Sequence, residues 1–170
     1  MRDSLLPTDS LVISQPMRFS GSTATFILFF SSPELDSHLN FICGNVGDSL
    51  AFRSSRNEDC ELDITLLTEE HRPGANEKEK ERIEKAGGFV HKGRVDGVLA
   101  VSRSFGDLMY KKYPKEEEGE EEDLVVCSPS QTFPSPISIE DEFIIIASDG
   151  LWDSIQRFLS IFFTQNYVCF

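Results

Sequence analysis

The sequence has no apolar run longer than five residues, and Phe26–Phe30 is one of the longest. A membrane-spanning helix needs about 20, so no span is expected. Basic residues are scarce: 16 Lys and Arg stand against 29 Asp and Glu, a formal net charge of −13. A general nucleic-acid binder carries the opposite sign. The four cysteines, Cys43, Cys60, Cys127 and Cys169, form no CxxC pair and fit no zinc-ligand spacing. The opening residues interrupt their apolar content with Pro7, Asp9 and Pro16, so no signal-peptide core is expected there. The expectation is an intracellular protein, cytoplasmic or nuclear, with reduced thiols. GxGxxG, GxxxxGKS/T, HExxH and GxSxG are also missing. His38, His71 and His91 are scattered. Each reads as structural or exposed rather than as a ligand, and nothing points to a Ser–His or Cys–His nucleophile.

What is present suits one globular domain of 170 residues. The acidity is local. Seven acids and no base stand in Glu116–Asp123, so of the −13 only −6 is left for the rest of the chain. Residues 111–123 are low in complexity and read as an exposed, self-repelling insert. Residues 1–19, of mixed polarity, read as a poorly ordered lead-in. Thr23–Phe30 and Leu39–Val46 are strand candidates. Gly47-Asp48 is a turn signal, and Leu50–Arg53 is expected to return as the second arm of a hairpin. Residues 54–63 read as a loop. Asn76–Ala86, rich in helix formers and alternating in charge sign, reads as a surface helix with Ile83 and Ala86 on its apolar stripe. Gly87-Gly88 should end it. Phe89-Val90 and Val98–Val101 read as short strands, Leu124–Cys127 as extended, and Phe143–Ala147 as a buried strand. The last fifteen residues, 156–170, hold four of the fourteen phenylalanines and no acid. They read either as a final amphipathic helix or strand packed on the core, or as a replacement for another continuation.

Carboxylates at strand ends draw attention next. Asp149 follows an apolar strand directly. If a helix starts at Gly150, Asp149 is its cap and Asp153 lies one turn on. Two nearby, partly shielded carboxylates repel unless a cation sits between them. Mg²⁺ or Mn²⁺, with their preference for oxygen ligands, would suit. On spacing alone the plainer reading is favoured, because Asp-Gly is a common turn and Asp a common cap. Asp48, at a tight turn after a strand, has the same two readings.

Six segments occur in one order: SGSTA at 20–24, NVGDS at 45–49, LTEEHRP at 67–73, ERIEKAGGFV at 81–90, GRVDGVLAVSRSFGD at 93–107 and FIIIASDGLWD at 143–153. Together they closely resemble the metal-dependent protein phosphatases of the PPM family, the type 2C serine/threonine phosphatases, from about Ser20 to about Ile155. The resemblance implies an α+β fold, a sandwich of two antiparallel sheets flanked by helices. It implies Mg²⁺ or Mn²⁺ in a cleft at one end, with a metal-activated water attacking phosphoserine or phosphothreonine. Carried over residue by residue, Asp149 matches a ligand of the dinuclear centre, and Asp153 and Asp48 match residues that help hold a weaker third metal. Gly87 and Gly88 match a helix end, Arg103, Gly106 and Asp107 a loop near the cleft, and Ser22 and Thr23 the start of a strand. Phosphorylated proteins are the implied partners, and a monomer is expected.

The departures are equally specific. Nothing in residues 1–19 resembles the family's acidic pair, phosphate-binding arginine or DGHGG segment. The DN motif is missing, and the Phe-rich tail stands in its place. Leu50 replaces the usual Arg after GDS. Residues 20–155 therefore match roughly the middle half of the family domain, interrupted by the insert at 111–123. One recognisable ligand cannot offset the charge of two divalent ions. The expectation is a phosphatase by family with little or no activity as this incomplete chain, with open sheet edges, exposed apolar faces and marginal stability. The alternative is a non-catalytic pseudophosphatase or scaffold that binds phosphoproteins or a phosphatase's partners. A third reading is an acidic interaction module built on 116–123.

Overall fold

The segments 24–30 and 40–46, with apolar runs at Phe26–Phe30 and Phe41–Cys43, pair as the longest ladder of one sheet. A computed structural model describes residues 8–9, 11, 19–32, 39–111 and 123–154. In it β2 (Ala24–Phe30) runs antiparallel to β3 (Asn40–Val46), from Ala24 opposite Val46 to Phe30 opposite Asn40. The other edge of β3 takes two short strands, β9 (Ser130–Gln131) and β10 (Ser135–Pro136). A second antiparallel sheet has the order β11 (Asp141–Ala147), β4 (Leu50–Arg56), β5 (Leu62–Leu66). The two sheets face each other where Arg53 of β4 lies over the Phe41 ring of β3, 5.7 Å from its centroid. The same guanidinium is held by both carboxylate oxygens of Asp141. Phe41 and Cys43 of β3 and Ala51 of β4 are buried between these layers.

A smaller layer stands beside the sandwich. Helix α1 (Glu77–Lys85) is capped by Asn76, whose side-chain oxygen accepts from the N–H groups of Lys78 and Glu79. At its other end Gly87 takes φ +91°. There its N–H donates to Glu84 O while the Gly88 N–H donates to Ile83 O, the paired bonds that close a helix through a left-handed residue. Ile83 packs with Val95 and Val125 under Val90, Leu99, Tyr110 and Leu124. One apolar helix residue is a small anchor, and a polar cluster completes the docking. Glu79, 2% exposed, accepts from Ser102 Oγ (2.6 Å), Arg103 and Arg82. Arg82 also donates to the carbonyls of Ser102, Asp123 and Leu124. The helix is thus where the charge pattern placed it, but it is not merely a solvated surface helix.

A third region ties residues near the start of the chain to the 104–111 loop. β1 (Gly21–Ser22) pairs with β8 (Phe105–Gly106), and the Asp107 N–H donates to Ser20 O. Asp9 is buried, accepts from the Gly106 N–H at 2.7 Å, and holds Lys111 Nζ at 2.8 Å through both oxygens.

Several expectations change. Leu50–Arg53 does not form a hairpin with Leu39–Val46. Both edges of β3 are already taken by β2 and by β9 and β10, so the turn at 47–49 carries the chain into the other sheet. The expected loop at 54–63 is shorter, because β4 runs to Arg56 and β5 begins at Leu62. Val98–Val101 contributes only the bridge Leu99–Val95. Phe143–Ala147 is a strand but not a buried one. It lies at a sheet edge, and Phe143 and Ile145 share with Phe52, Ile64 and Leu66 the face turned away from the other sheet. That face is open among the described residues: Ile64 is 59% exposed and Phe143 45%. Most of the lead-in, residues 112–122 of the insert and the tail at 156–170 lie outside the described residues. No described helix is long and apolar enough to cross a membrane.

Candidate functional site

The register between β4 and β11 builds the site. Leu50 stands opposite Ala147. Asp48, two residues before Leu50, and Asp149, two residues after Ala147, therefore emerge from neighbouring strand ends. Antiparallel pairing brings them together across most of the chain's length. Helical residues 149–154 follow β11 at once. Ser148, rather than Asp149, accepts the first helical bonds, from the N–H groups of Leu151 and Trp152. Asp149 thus opens the helix, and Asp153 lies one turn on along the same face. Trp152 staples this segment to the sheet end. Its indole N–H reaches Ala147 O (2.8 Å) and Leu50 O (3.2 Å), and its ring meets Phe52 edge-on at 4.9 Å.

Asp48 is held by the turn. Gly47 has φ +112°, and a Cβ there would lie 2.2 Å from Thr23 Cγ2. A residue with a side chain fits neither the backbone nor the space. The Gly47 N–H donates to Nδ1 of the fully buried His71 at 3.0 Å. Burial, with the charge of Arg103 beside it, lowers the His71 pKa to about 4, so the ring is neutral at pH 7. Its carbonyl accepts from the N–H and Oγ of Ser102. The peptide that leads to Arg72 is thereby fixed.

The three predicted site residues meet on Arg72. Its Nε donates to Asp48 Oδ2 at 2.9 Å and its Nη2 to Asp149 Oδ2 at 3.3 Å. Nη1 stands 3.9 Å from Asp153 Oδ1, and Glu70 Oε1 lies 3.3 Å from Nε. Asp48 is well shielded, with 11% side-chain exposure, whereas Asp149 and Asp153 are 53% and 64% exposed. Burial alone would lower the Arg72 pKa. The hydrogen bond and charge of Asp48, with Glu70 and Asp153 behind it, more than offset this and raise it. Four carboxylates surround one guanidinium.

Do these residues fit the metal that the resemblance implies? The chemistry of the donors does, since Mg²⁺ and Mn²⁺ take carboxylate oxygens. The arrangement does not. Arg72 stands where the carboxylates converge, and among the described residues no three Asp, Glu, His or Cys side chains form a group that could hold an ion. Arg72 and Glu70 were not singled out in the sequence. The available signal was electrostatic, because carboxylates expected to converge need a cation and LTEEHRP supplies one. Of the other positions, Arg103 and Asp107 do fix a loop. Arg103 joins Glu79 to the Ser128 carbonyl, and Asp107 accepts from Ser104 Oγ while packing against Gly21.

The comparisons with known proteins agree with this architecture. The family model described as Protein phosphatase 2C matches residues 2–164. Protein phosphatase 2C homolog 2 of Saccharomyces cerevisiae is 37% identical over 156 residues, covering 90% of this chain and 31% of that protein. Protein phosphatase 1B of Homo sapiens is 42% identical over 138 residues, covering 81% of this chain and 26% of its own length. The crystal structure of serine-threonine phosphatase 2C from Toxoplasma gondii superposes with a TM-score of 0.69 at 20% identity, covering 89% of this chain and 50% of that one. At that identity it speaks for the fold alone. The chain spans a third or less of the length of these two curated relatives.

Proposed function

The chain belongs to the protein phosphatase 2C family, and from that premise we propose that it acts as part of a metal-dependent serine/threonine phosphatase, the class that hydrolyses phosphoserine and phosphothreonine in proteins. The observation that supports this reading is the convergence of Asp48, Asp149 and Asp153 within 3.9 Å of one guanidinium. These are the residues that the resemblance matches to metal-binding aspartates. Mg²⁺ or Mn²⁺, phosphorylated protein substrates, a monomeric state and an intracellular, cytoplasmic or nuclear setting belong to the same proposal. No step through the metal is assigned to this chain, because Arg72 stands among the carboxylates. Little or no turnover is expected from these 170 residues alone.

That same position of Arg72 favours a second reading, a non-catalytic scaffold that binds phosphoproteins or a phosphatase's partners. One experiment separates the two. Phosphate release from a phosphothreonine peptide is measured with the folded, purified chain, in Mn²⁺ and again in chelator. Metal-dependent release that disappears in Asp149→Ala supports the enzyme. No release, combined with retained binding of the phosphothreonine peptide, supports the scaffold.

A further inference from the structure

We propose that the open face of the β11–β4–β5 sheet is a docking surface for a basic amphipathic helix supplied by another protein. The proposal needs neither turnover nor the Arg72 cluster.

Three observations carry it. The first is the patch. Leu62, Ile64 and Leu66 of β5, Phe52 of β4, and Phe143 and Ile145 of β11 share the face turned away from the other sheet. The five on the outer strands are each 41–59% exposed. A sheet buries such a face under another layer, and a contiguous apolar patch left on a surface marks an interaction site. Ser54, in register with both Ile64 and Phe143 at the centre, is only 1% exposed. A partner therefore meets carbon across the middle of the patch and no hydrogen-bonding group. The second is shape. The outer two strands stand about 10 Å apart, and Leu62 to Leu66 spans about 14 Å. A helix with its side chains is about 10–12 Å wide and rises about 1.5 Å per residue, so about three turns cover the patch. Trp152 closes the Leu50 end against Phe52, and the turn at 57–61 closes the other. The third is charge. Glu58, Asp59 and Glu61 stand exposed in that turn, and Asp149 and Asp153 stand exposed beyond the opposite end. The basic residues of these strands, Arg53 and Arg56, are already engaged by Asp141 and Glu142. Acids thus bracket a carbon patch on a chain of net charge −13. Lys or Arg at the ends of a partner's apolar stripe would meet them. Two copies of this chain laid face to face would set acid against acid, and an anionic membrane would be repelled.

The test uses the full chain and two synthetic helices of about 14 residues, one of leucine and lysine and one of leucine and glutamate, each with its leucines on one stripe. Binding is followed by calorimetry, with folding checked by circular dichroism. The leucine–lysine helix is expected to bind at least tenfold more tightly than the leucine–glutamate helix, and Ile64→Asp to weaken it at least tenfold. Ile64→Asp adds an acid to the face, so capture by charge alone, at 116–123 or elsewhere, would stay level or rise; that result overturns the proposal. Asp59→Asn with Glu61→Gln should weaken binding about threefold and flatten its fall with salt. Equal binding of the two helices, or no effect of the rim, overturns the basic partner. A measurement that needs no variant guards against misfolding. The methyl resonances of Ile64, Leu66 and Ile145 should shift in step with saturation by the leucine–lysine helix, and saturation with those methyls unmoved overturns the proposal. Three further results overturn it by assigning another occupant. Shifts of the same methyls with chain concentration would make it a second copy, and shifts with phospholipid vesicles a membrane. Overhauser contacts to Phe158 or Phe162 before any helix is added would make it the chain's own tail.

Discussion

Glu79→Gln tests whether α1 is docked by charge. Glu79 is buried and faces Arg103, Arg82 and the Ser102 hydroxyl. The amide keeps the shape and can still accept from Ser102, but it leaves two guanidinium groups without a counter-charge. Removing one partner of a buried pair costs roughly 3–5 kcal/mol. A second route gives a similar figure. Burial would raise the Glu79 pKa, yet Arg103, Ser102 and Arg82 bring it down to about 2 from an ordinary 4.5. Each unit is worth about 1.4 kcal/mol, so the interaction favours the folded state by roughly 3 kcal/mol. Arg82 and Arg103 keep 22% and 18% exposure, which allows some hydration of the stranded charges and argues for the lower end of the range. The sign with pH is set by the depressed pKa. The stabilisation is complete above 4.5 and fades as pH falls toward 2. Urea unfolding at pH 7 should show Glu79→Gln less stable by about 3 kcal/mol, and the gap should close between pH 5 and 2.5. A loss under about 1 kcal/mol, or a gap that does not change with pH, would refute charge docking of the helix.

Gly47→Ala must adopt φ +112° and push a Cβ into Thr23; an unfolding midpoint lowered by about 2–4 kcal/mol of stability is expected, and a change under 0.5 would contradict the turn geometry. His71, its pKa lowered by burial, should titrate near 4 in an NMR pH series. Because that value is depressed, the chain should lose stability as pH falls from 6.5 toward 4; a midpoint at 6 or above would mean the ring is solvated. Of the described cysteines, Cys60 is exposed, while Cys43 and Cys127 are buried and burial pushes the Cys43 thiol up to about 11. A thiol reagent at pH 8 should label Cys60 in the native chain and Cys43 only on unfolding, and early labelling of Cys43 would show an open sandwich. Ile64→Lys, on the open face of β5, should reduce binding of an apolar fluorescent dye while changing stability by no more than about 0.5 kcal/mol; a larger loss would show that the face is covered.

Local pattern was enough wherever the physics is local. The Glu and Lys run and Gly87-Gly88 spell a helix and a stop, and the expected bounds 76–86 hold to within a residue at each end, with Asn76 serving as the cap. The strands expected at 23–30, 39–46 and 143–147 followed from their apolar content and stand at 24–30, 40–46 and 141–147, the last beginning two acidic residues earlier than its apolar run. Pairing was not legible in the same way. The hairpin expectation failed because adjacency in sequence does not show that both edges of β3 are claimed by strands from elsewhere. Glu79 was not singled out, because charge alternation hides the helical period. Yet it sits four residues before Ile83, on the buried stripe, and that spacing was in the sequence. Asp48 and Asp149 were each readable as carboxylates at strand ends, whereas their meeting depended on β4 and β11 pairing across distant sequence.

That dependence also separates two parts of the site. The approach of Asp48 to Asp149 is set by Leu50 opposite Ala147 and by Trp152 bonded to both carbonyls. All of these residues lie within this chain, so the carboxylates are held close by its own ladder. Holding them costs repulsion, and the ladder does not supply the positive charge that offsets it. Arg72 arrives on a third segment, fixed by His71 and Asn76 rather than by the sheet. Carboxylate spacing and counter-charge are therefore specified by different contacts and can vary separately. A substitution in the β4–β11 ladder should disturb the carboxylate spacing and the contacts of Arg72 alike. A substitution at Arg72 should leave the spacing intact and remove only the charge that offsets the repulsion.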